Sequence, residues 1–291
     1  MSGESSPQHA TSRFWRSRDG LRLHARDHAA AAGPARLPVI CLHGLTRNSR
    51  DFETLAPWIA ARHRRVLALD IRGRGLSDRD PAADYRMPAY ADDVAQLLRA
   101  LGIAEALFVG TSMGGLITME LAGAHPSLIA GAAINDVGPV LGAAGLERIA
   151  RYVGKTAPLT DWPAAAAYLA SHNATALPHY TADDWLGMAR RLFREADGRI
   201  VADYDPAIAE AFADAPLPGD PWDRWHALAD GTRAVLLIRG ALSDLLERDT
   251  ATRMAHAARV TLREVPAVGH APMLDEPAAL EALETFLTES R

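Results

Sequence analysis

The sequence predicts an α/β protein whose mostly parallel sheet is flanked by helices and interrupted by a helical insertion. Two observations indicate this fold class. Short apolar runs alternate with helix-like segments in the first half of the chain and again near its end, as in chains that form parallel sheets. The alternation stops at about residue 138 and resumes at about residue 234, and helical patterns broken by prolines fill the gap.

Six apolar or strand-like runs are assigned to parallel strands, and the first two are continuous, which is typical of strands covered on both faces. These runs are residues 38–42, 66–69, 106–109, 128–134, 234–238 and 260–265. The spacing of apolar residues predicts an amphipathic helix over residues 87–101. An Asp-Gly pair at residues 19 and 20 indicates a hairpin within the loosely alternating segment 14–27.

Residues 110–115, with the sequence GTSMGG, follow the apolar run 106–109 and open a helix-like segment. A strand, a glycine-flanked turn and a helix form the setting in which a serine can be held out as a nucleophile. Side chains at positions 110 and 114 would collide with the neighbouring strand and helix, and Ser112 is expected to adopt a strained backbone conformation. The free N–H groups at the start of the helix could stabilise an oxyanion.

Three further segments occur in a matching order. His43-Gly44 follows the first apolar run, residues 70–77 read DIRGRGLS, and His270 lies in the sequence GHAP after the last apolar run. With the serine turn, this ordered set resembles the α/β-hydrolase superfamily from about residue 14 to 287. The resemblance implies an eight-stranded, mostly parallel sheet with a helical cap inserted after the sixth strand.

On this resemblance, residues 13–137 and 226–291 form the catalytic core, and residues 138–225 form the helical cap above the active site. Residues 1–12 are expected to be a flexible tail. The start of the chain is polar and lacks the apolar stretch of a signal peptide.

Ser112 is the candidate nucleophile and needs a base that accepts its proton during attack. A neutral histidine is suited to this at neutral pH. Among the eleven histidines, His270 is the candidate, because a glycine precedes it and a loop position lets it reach the top of the sheet.

Two aspartates are candidates for the acid that orients His270. The family's aspartate commonly follows the seventh strand in a G-x-x-D loop, but here that position holds Ser243 and Asp244 follows it. Some relatives take the acid from the end of the sixth strand, where this chain has Asp136. We place Asp244 slightly ahead and keep Asp136 as the alternative.

The resemblance assigns the oxyanion hole to the backbone N–H groups of Leu45 and Met113. His43 is expected to position its loop and to take no part in the chemistry. Asp70 and Arg72 are expected to fix their loop through a salt bridge.

Composition excludes several other classes. The net charge of −5 and the scattered arginines disfavour nucleic-acid binding, and no apolar stretch approaches the roughly 20 residues of a membrane span. The single cysteine, Cys41, lies in an apolar run, so we expect a buried residue in a cytoplasmic protein. Neither a dinucleotide fingerprint nor a spacing typical of metal ligands occurs, and we expect no cofactor and no metal.

The sequence therefore predicts a serine hydrolase that cleaves an ester or related acyl bond of a small, apolar or aromatic substrate through an acyl-enzyme. A carbon–carbon bond hydrolase for ring-cleavage products and an amide hydrolase of a small acid would use the same residues. A cyanohydrin-cleaving lyase would also keep the serine, and a small-molecule receptor on the same fold is the non-enzymatic alternative. The sequence leaves the oligomeric state open.

Overall fold

The computed structural model of the chain describes residues 10–213 and 219–290. Ten strands are formed, namely β1 (Thr11–Arg16), β2 (Arg22–His28), β3 (Val39–Leu42), β4 (Val66–Asp70), β5 (Ala106–Thr111), β6 (Ile129–Asn135), β7 (Phe193–Ala196), β8 (Arg199–Ala202), β9 (Ala234–Gly240) and β10 (Val260–Val265). The α-helices are α1 (Leu55–Ala60), α2 (Met87–Ala100), α3 (Met113–Ala124), α4 (Ala143–Ala150), α5 (Trp162–Asn173), α6 (Ala182–Leu192), α7 (Ile208–Ala213), α8 (Pro221–Leu228), α9 (Arg248–Ala255) and α10 (Pro277–Glu289). Two short 3-10 helices span Ser49–Phe52 and Pro126–Leu128.

Eight strands form one sheet in the order β1-β2-β4-β3-β5-β6-β9-β10. The pairs β1–β2 and β2–β4 are antiparallel, and the other five pairs are parallel. This confirms the predicted eight-stranded, mostly parallel sheet. Every residue of β3, β4 and β5 is buried, as their continuous apolar sequences predicted.

The sheet separates two apolar cores. Successive residues of β3 face opposite sides, so that Ile40 packs in one core and the free Cys41 in the other. The first core holds Leu97 of α2 and Ile117 of α3, and the second holds Phe286 of α10. Helices therefore cover both faces of the sheet, and the parallel strands direct their C-terminal ends toward one edge, where loops can gather polar side chains.

The segment between β6 and β9, residues 136–233, is called the insertion below. It contains α4 to α8, and it also contains the antiparallel hairpin β7–β8, where the sequence had led us to expect helices alone. The turn residues Asp197 and Gly198 both have positive φ, 50° and 69°. An Asp-Gly pair is a strong hairpin signal because both turn positions require such values. The Asp-Gly pair is present in the sequence, but the helical patterns on both sides of it favoured the interpretation as helices alone.

Two predicted boundaries fall inside regular elements. Thr11 and Ser12, which we had assigned to a tail over residues 1–12, pair with β2 as part of β1, while residues 1–9 lie outside the described part of the chain. The expected core boundary at residue 226 divides α8. Trp225 and Leu228 of this helix are buried in the same core as α3. Within the described ranges, no helix has the length and apolarity needed to cross a membrane.

Two of the three glycines of α3, Gly114 and Gly123, offer a matched test of the packing between β3 and α3. A Cβ at Gly114 would lie 2.0 Å from the Leu42 carbonyl oxygen, whereas a Cβ at Gly123 would meet nothing within 4 Å. We expect Gly114→Ala to lower the free energy of unfolding by about 2 kcal/mol or more through overpacking. Gly123→Ala should raise it by up to about 1 kcal/mol through helix propensity. Urea unfolding of both variants measures the difference, and equal effects would contradict the close approach at Gly114.

Candidate active site

Three side chains form a continuous hydrogen-bonded chain above the C-terminal edge of the sheet. The Nε2 atom of His270 lies 2.9 Å from Ser112 Oγ, and its Nδ1 atom lies 2.8 Å from Asp136 Oδ2. Ser112 follows β5, Asp136 follows β6, and His270 lies in the loop after β10. Parallel strands thus deliver to one place three residues that are far apart in sequence.

Ser112 occupies a strained turn between β5 and α3, with φ 51° and ψ −115°. A Cβ at Gly110 would lie 2.5 Å from the Gly114 carbonyl oxygen, and a Cβ at Gly114 would meet β3. The structure therefore shows the collisions with helix and strand that the two glycines avoid. Strain of this kind persists only where the surroundings over-determine it, and it occurs most often at functional sites.

Asp136 is fully buried and receives three hydrogen bonds. Its Oδ1 atom accepts from the Gly240 N–H at 2.8 Å. Its Oδ2 atom accepts from the Ser243 hydroxyl at 2.6 Å as well as from His270. These donors meet the requirement that a buried carboxyl group be hydrogen-bonded. Ser243, which stands where the family commonly has its acid, instead supports an acid from the neighbouring strand.

Asp244, which we had placed slightly ahead, does not contact His270. It forms a two-pronged ion pair with Arg148 of α4, with both N–O distances 2.7 Å. These hydrogen bonds from Arg148 lower the pKa of Asp244 below its ordinary value. The preference for Asp244 as the partner of His270 was therefore wrong. In the structure, the Ser243 side chain points toward the site. The loop after β9 does not rearrange to bring Asp244, one residue later, to the same position.

The two backbone N–H groups expected to form the oxyanion hole have no acceptor among the residues that the structure describes. Met113 is the first residue of α3, and its N–H has no acceptor within the helix. The Leu45 N–H, in the loop after β3, has no hydrogen-bond partner among the residues that the structure describes. Both residues lie next to Ser112. Met113 follows it in sequence. Leu45 follows Gly44, where a Cβ would lie 3.8 Å from Ser112 Cβ.

His43 holds this loop in place and lies outside the chain of three side chains. It is fully buried, and its Nε2 atom accepts from the Ile71 N–H at 3.1 Å. Its Nδ1–H consequently donates to the Gly44 carbonyl oxygen at 2.8 Å. Burial lowers the pKa of His43 to about 4, so that the ring stays neutral in this position at neutral pH. The geometry agrees with the positioning role expected from the sequence.

The expected salt bridge of Asp70 and Arg72 takes a different form, because the two residues pair with separate partners. Asp70 Oδ2 lies 2.7 Å from His24 Nδ1. Arg72 is buried among three carboxylates, those of Asp19, Asp80 and Asp93. Both arrangements fix the loop after β4, and neither Asp70 nor Arg72 lines the cavity at Ser112.

A second Ser–His–Asp arrangement occurs at the edge of the sheet. The Nε2 atom of His24 lies 3.1 Å from Ser12 Oγ, and its Nδ1 atom contacts Asp70. Ser12, however, lies in the extended edge strand β1, where no helix begins and no turn holds the serine out. Distances alone therefore do not distinguish the two sets. Of these two serines, Ser112 alone stands at a tight turn before a helix, beside N–H groups without an acceptor among the described residues.

Ser112 and His270 open into a cavity between the sheet edge and the insertion. Met188 and Phe193 of the insertion contribute apolar surface to its wall. Its other walls are more polar than the sequence suggested. Polar lining residues from the insertion are Tyr152, Thr156, Tyr168, His172, Asn173 and Tyr204, and Arg47 contributes from the loop after β3. None of these carries a local motif that would have identified it.

No group of three or more metal-ligating side chains occurs in the described ranges. The hydrogen-bonded arrangement of Ser112, His270 and Asp136 is chemically suited to nucleophilic attack, since it couples a hydroxyl to a base and the base to a buried carboxylate.

Comparison with known proteins is consistent with this chemistry. The 3-hydroxybutyrate-oligomer hydrolase of Cupriavidus necator is 35% identical over 279 residues, which cover 91% of this chain and 94% of that protein. The 2-(acetamidomethylene)succinate hydrolase of Mesorhizobium japonicum is 31% identical over 209 residues, or 72% of each chain. Hydrolytic activity is thus supported by relatives along most of the sequence.

Solved structures agree. An alpha/beta hydrolase from Novosphingobium aromaticivorans is 42% identical and superposes with a TM-score of 0.90, covering 96% of this chain and 98% of that one. The crystal structure of E-2-(acetamidomethylene)succinate hydrolase is 26% identical with a TM-score of 0.80, and the match covers 96% of this chain and all of that one. The family of the alpha/beta hydrolase fold matches residues 38–277, and the chain belongs to this family.

Proposed function

We propose that the protein is a serine hydrolase that cleaves an ester of a small acid through an acyl-enzyme. The observation that carries the proposal is the hydrogen-bonded chain from Ser112 through His270 to Asp136. Beside it lie two backbone N–H groups that have no acceptor in the described part of the chain. A structural serine would require neither a strained elbow nor a buried carboxylate behind its histidine.

In the proposed reaction, Ser112 Oγ attacks the ester carbonyl carbon while Nε2 of His270 accepts the hydroxyl proton. The tetrahedral intermediate collapses, the bond to the alcohol oxygen breaks, and His270 returns the proton to the leaving alcohol. A water molecule then attacks the acyl-enzyme, again losing a proton to His270, and the acid leaves as Ser112 regains its hydrogen. The sum is ester plus water giving acid plus alcohol.

Asp136 would keep His270 in the productive tautomer. Because Nδ1–H donates to the carboxylate, Nε2 remains the acceptor for the serine proton. The charged carboxylate also stabilises the imidazolium that forms during attack. The Gly240 N–H and the Ser243 hydroxyl donate to Asp136 and hold its carboxylate in place behind His270.

The N–H groups of Leu45 and Met113 would bind the oxyanion of the tetrahedral intermediate. Each such donor stabilises the transition state by roughly 3–4 kcal/mol in related chemistry. His43 and the Gly44 carbonyl set the direction of the loop that carries Leu45, so we assign His43 a positioning role.

An amide hydrolase is the second candidate. The 2-(acetamidomethylene)succinate hydrolase, by its name, acts on a compound that carries an acetamido group, and it resembles this chain over 72% of its length. We place the ester first because the 3-hydroxybutyrate-oligomer hydrolase is similar over almost the whole chain, and the linked hydroxy acids of such an oligomer are joined by ester bonds.

The chain offers a matched pair of serines for a test of the nucleophile. We expect wild type to hydrolyse p-nitrophenyl acetate and butyrate, and Ser112→Ala to lower kcat/KM by about 10⁴-fold or more, because the attacking oxygen is lost. Ser12→Ala removes a hydroxyl with the same histidine and aspartate surroundings, and should change kcat/KM less than about 3-fold.

Pre-steady-state kinetics should also show a burst of one p-nitrophenol per active site. Equal losses in the two serine variants would sink the assignment of Ser112. If wild type hydrolysed no ester, a carbon–carbon bond hydrolase, a lyase or a small-molecule receptor would become the favoured function.

A second pair of variants tests the acid. Asp136→Asn should lower kcat by roughly 10³- to 10⁴-fold, since the amide favours the wrong histidine tautomer. Asp244 follows β9 as Asp136 follows β6, but among the described residues its carboxylate hydrogen-bonds with Arg148. We therefore expect Asp244→Asn to change kcat by less than about 5-fold. Steady-state kinetics with p-nitrophenyl butyrate measures both. A larger loss in Asp244→Asn would reverse the assignment.

A further inference from the structure

Arg47 is a charged residue in the active-site cavity that the proposed reaction does not use. It lies in the loop after β3, two residues beyond Leu45, and it is the only arginine or lysine among the residues that line the cavity. Its side chain is 14% exposed. A cation that is this deeply buried requires a partner of opposite charge, because the burial of an uncompensated charge costs free energy.

Asp51 compensates Arg47 only in part. Nη1 of the guanidinium donates to both carboxylate oxygens of Asp51, at 2.9 and 3.1 Å, and it also contacts Met273 Sδ at 3.1 Å. The Nε and Nη2 atoms have no hydrogen-bond partner among the described residues. Guanidinium carries five N–H donors, and the edge formed by Nε and Nη2 presents two parallel donors that fit a carboxylate.

The charge of Arg47 is secure. Burial by itself would lower the pKa of Arg47, but the nearby Asp51 carboxylate outweighs burial and raises this pKa above the ordinary value. The residue therefore stays cationic at every pH at which the protein would work.

The stem of Arg47 and the nucleophile approach the same point of the loop after β3. The position that a Cβ would take at Gly44 is 3.6 Å from Arg47 Cδ and 3.8 Å from Ser112 Cβ. Arg47 and Ser112 also line the same cavity. A small substrate in this cavity could therefore present a carbonyl to Ser112 and an anionic group to Arg47.

We propose that Arg47 binds a free carboxylate of the substrate, so that the enzyme acts on small esters that carry an unesterified carboxyl group. This inference rests on the proposed function and narrows it to a substrate class. The names of the two relatives fit the class, since a 3-hydroxybutyrate oligomer ends in a carboxyl group and a succinate carries two. Arg72, in the loop after β4, is paired with three aspartates and does not line this cavity.

The test compares two substrates that differ only in charge. One is the linear dimer of 3-hydroxybutyrate, and the other is the same dimer with its terminal carboxylate converted to a carboxamide. In wild type, kcat/KM for the dimer should exceed that for the carboxamide. Arg47→Met should lower kcat/KM for the dimer by roughly 10²- to 10³-fold, mainly through KM, and for the carboxamide by less than about 5-fold.

Arg65→Met is the matched control. Arg65 also forms a two-pronged pair with an aspartate, Asp27, at 2.8 and 2.7 Å, but it lies before β4, at the opposite edge of the sheet from the cavity. It should leave the ratio between the two substrates unchanged. Arg47→Lys keeps the charge without the fork and should recover part of the lost preference for the dimer. This variant also keeps a partner for Asp51, and it serves as the test if Arg47→Met does not fold.

A binding measurement separates this proposal from the proposed function. Isothermal titration of the dimer and its carboxamide into Ser112→Ala, with and without Arg47→Met, requires no turnover. Tighter binding of the dimer that Arg47→Met abolishes supports the carboxylate site, even if no ester is hydrolysed. Hydrolysis of p-nitrophenyl butyrate with equal affinity and equal kcat/KM for both dimers would overturn the role of Arg47 and leave the serine hydrolase standing.

Discussion

The active-site geometry depends on how closely α3 approaches β3. At Gly114 the Leu42 carbonyl oxygen leaves no room for a Cβ, and at Gly110 the first turn of the helix does the same. Because the helix is held this close, the chain must reverse within a single residue, and Ser112 adopts a positive φ. The stability of the whole sheet supports this strain, which a loop alone could not maintain. The same contact directs the start of α3, with its free Met113 N–H, toward the cavity.

Around this fixed serine, the fold combines groups from neighbouring strands. The strands β6 and β9 lie side by side, so that Asp136 at the end of β6 reaches the Gly240 N–H and the Ser243 hydroxyl at the end of β9. The carboxylate has therefore changed strands relative to the commoner pattern, while its place beside His270 is retained. What the chemistry requires is a buried, fully hydrogen-bonded oxygen near Nδ1, and either strand can supply it.

This arrangement also explains which features could be predicted from sequence. Ser112 and His270 stand in short patterns whose local geometry follows from glycines and adjacent strands, and the order of strands and helices follows from apolar runs. The acid could not be chosen in this way. Asp136 and Asp244 both fit the sequence pattern. The choice between them depends on which of these two side chains, at the ends of adjacent strands, faces His270. Asp136 has a φ of 57°, a conformation that no local pattern indicated.

Arg47 was missed for a similar reason. Its sequence neighbourhood resembles a solvated loop, and its relation to Ser112 comes only from the path of the chain after Gly44. The β7–β8 hairpin is a different case, since its Asp-Gly turn was visible in the sequence. Local signals of this kind are outweighed when the surrounding residues favour another structure.

The ion pair of Arg148 and Asp244 has a consequence for how such an enzyme can diversify. The loop after β9 no longer supplies the acid, and its aspartate instead ties α4 to the core. The backbone strengthens this tie, because the N–H groups of Gly142 and Gly145 donate to the carbonyls of Leu245 and Asp244. Substitutions where α4 meets the loop after β9 can therefore move the part of the insertion that covers the cavity. The hydrogen-bonded chain of Ser112, His270 and Asp136 would stay intact. The selectivity of the protein and its chemistry become two separately adjustable traits.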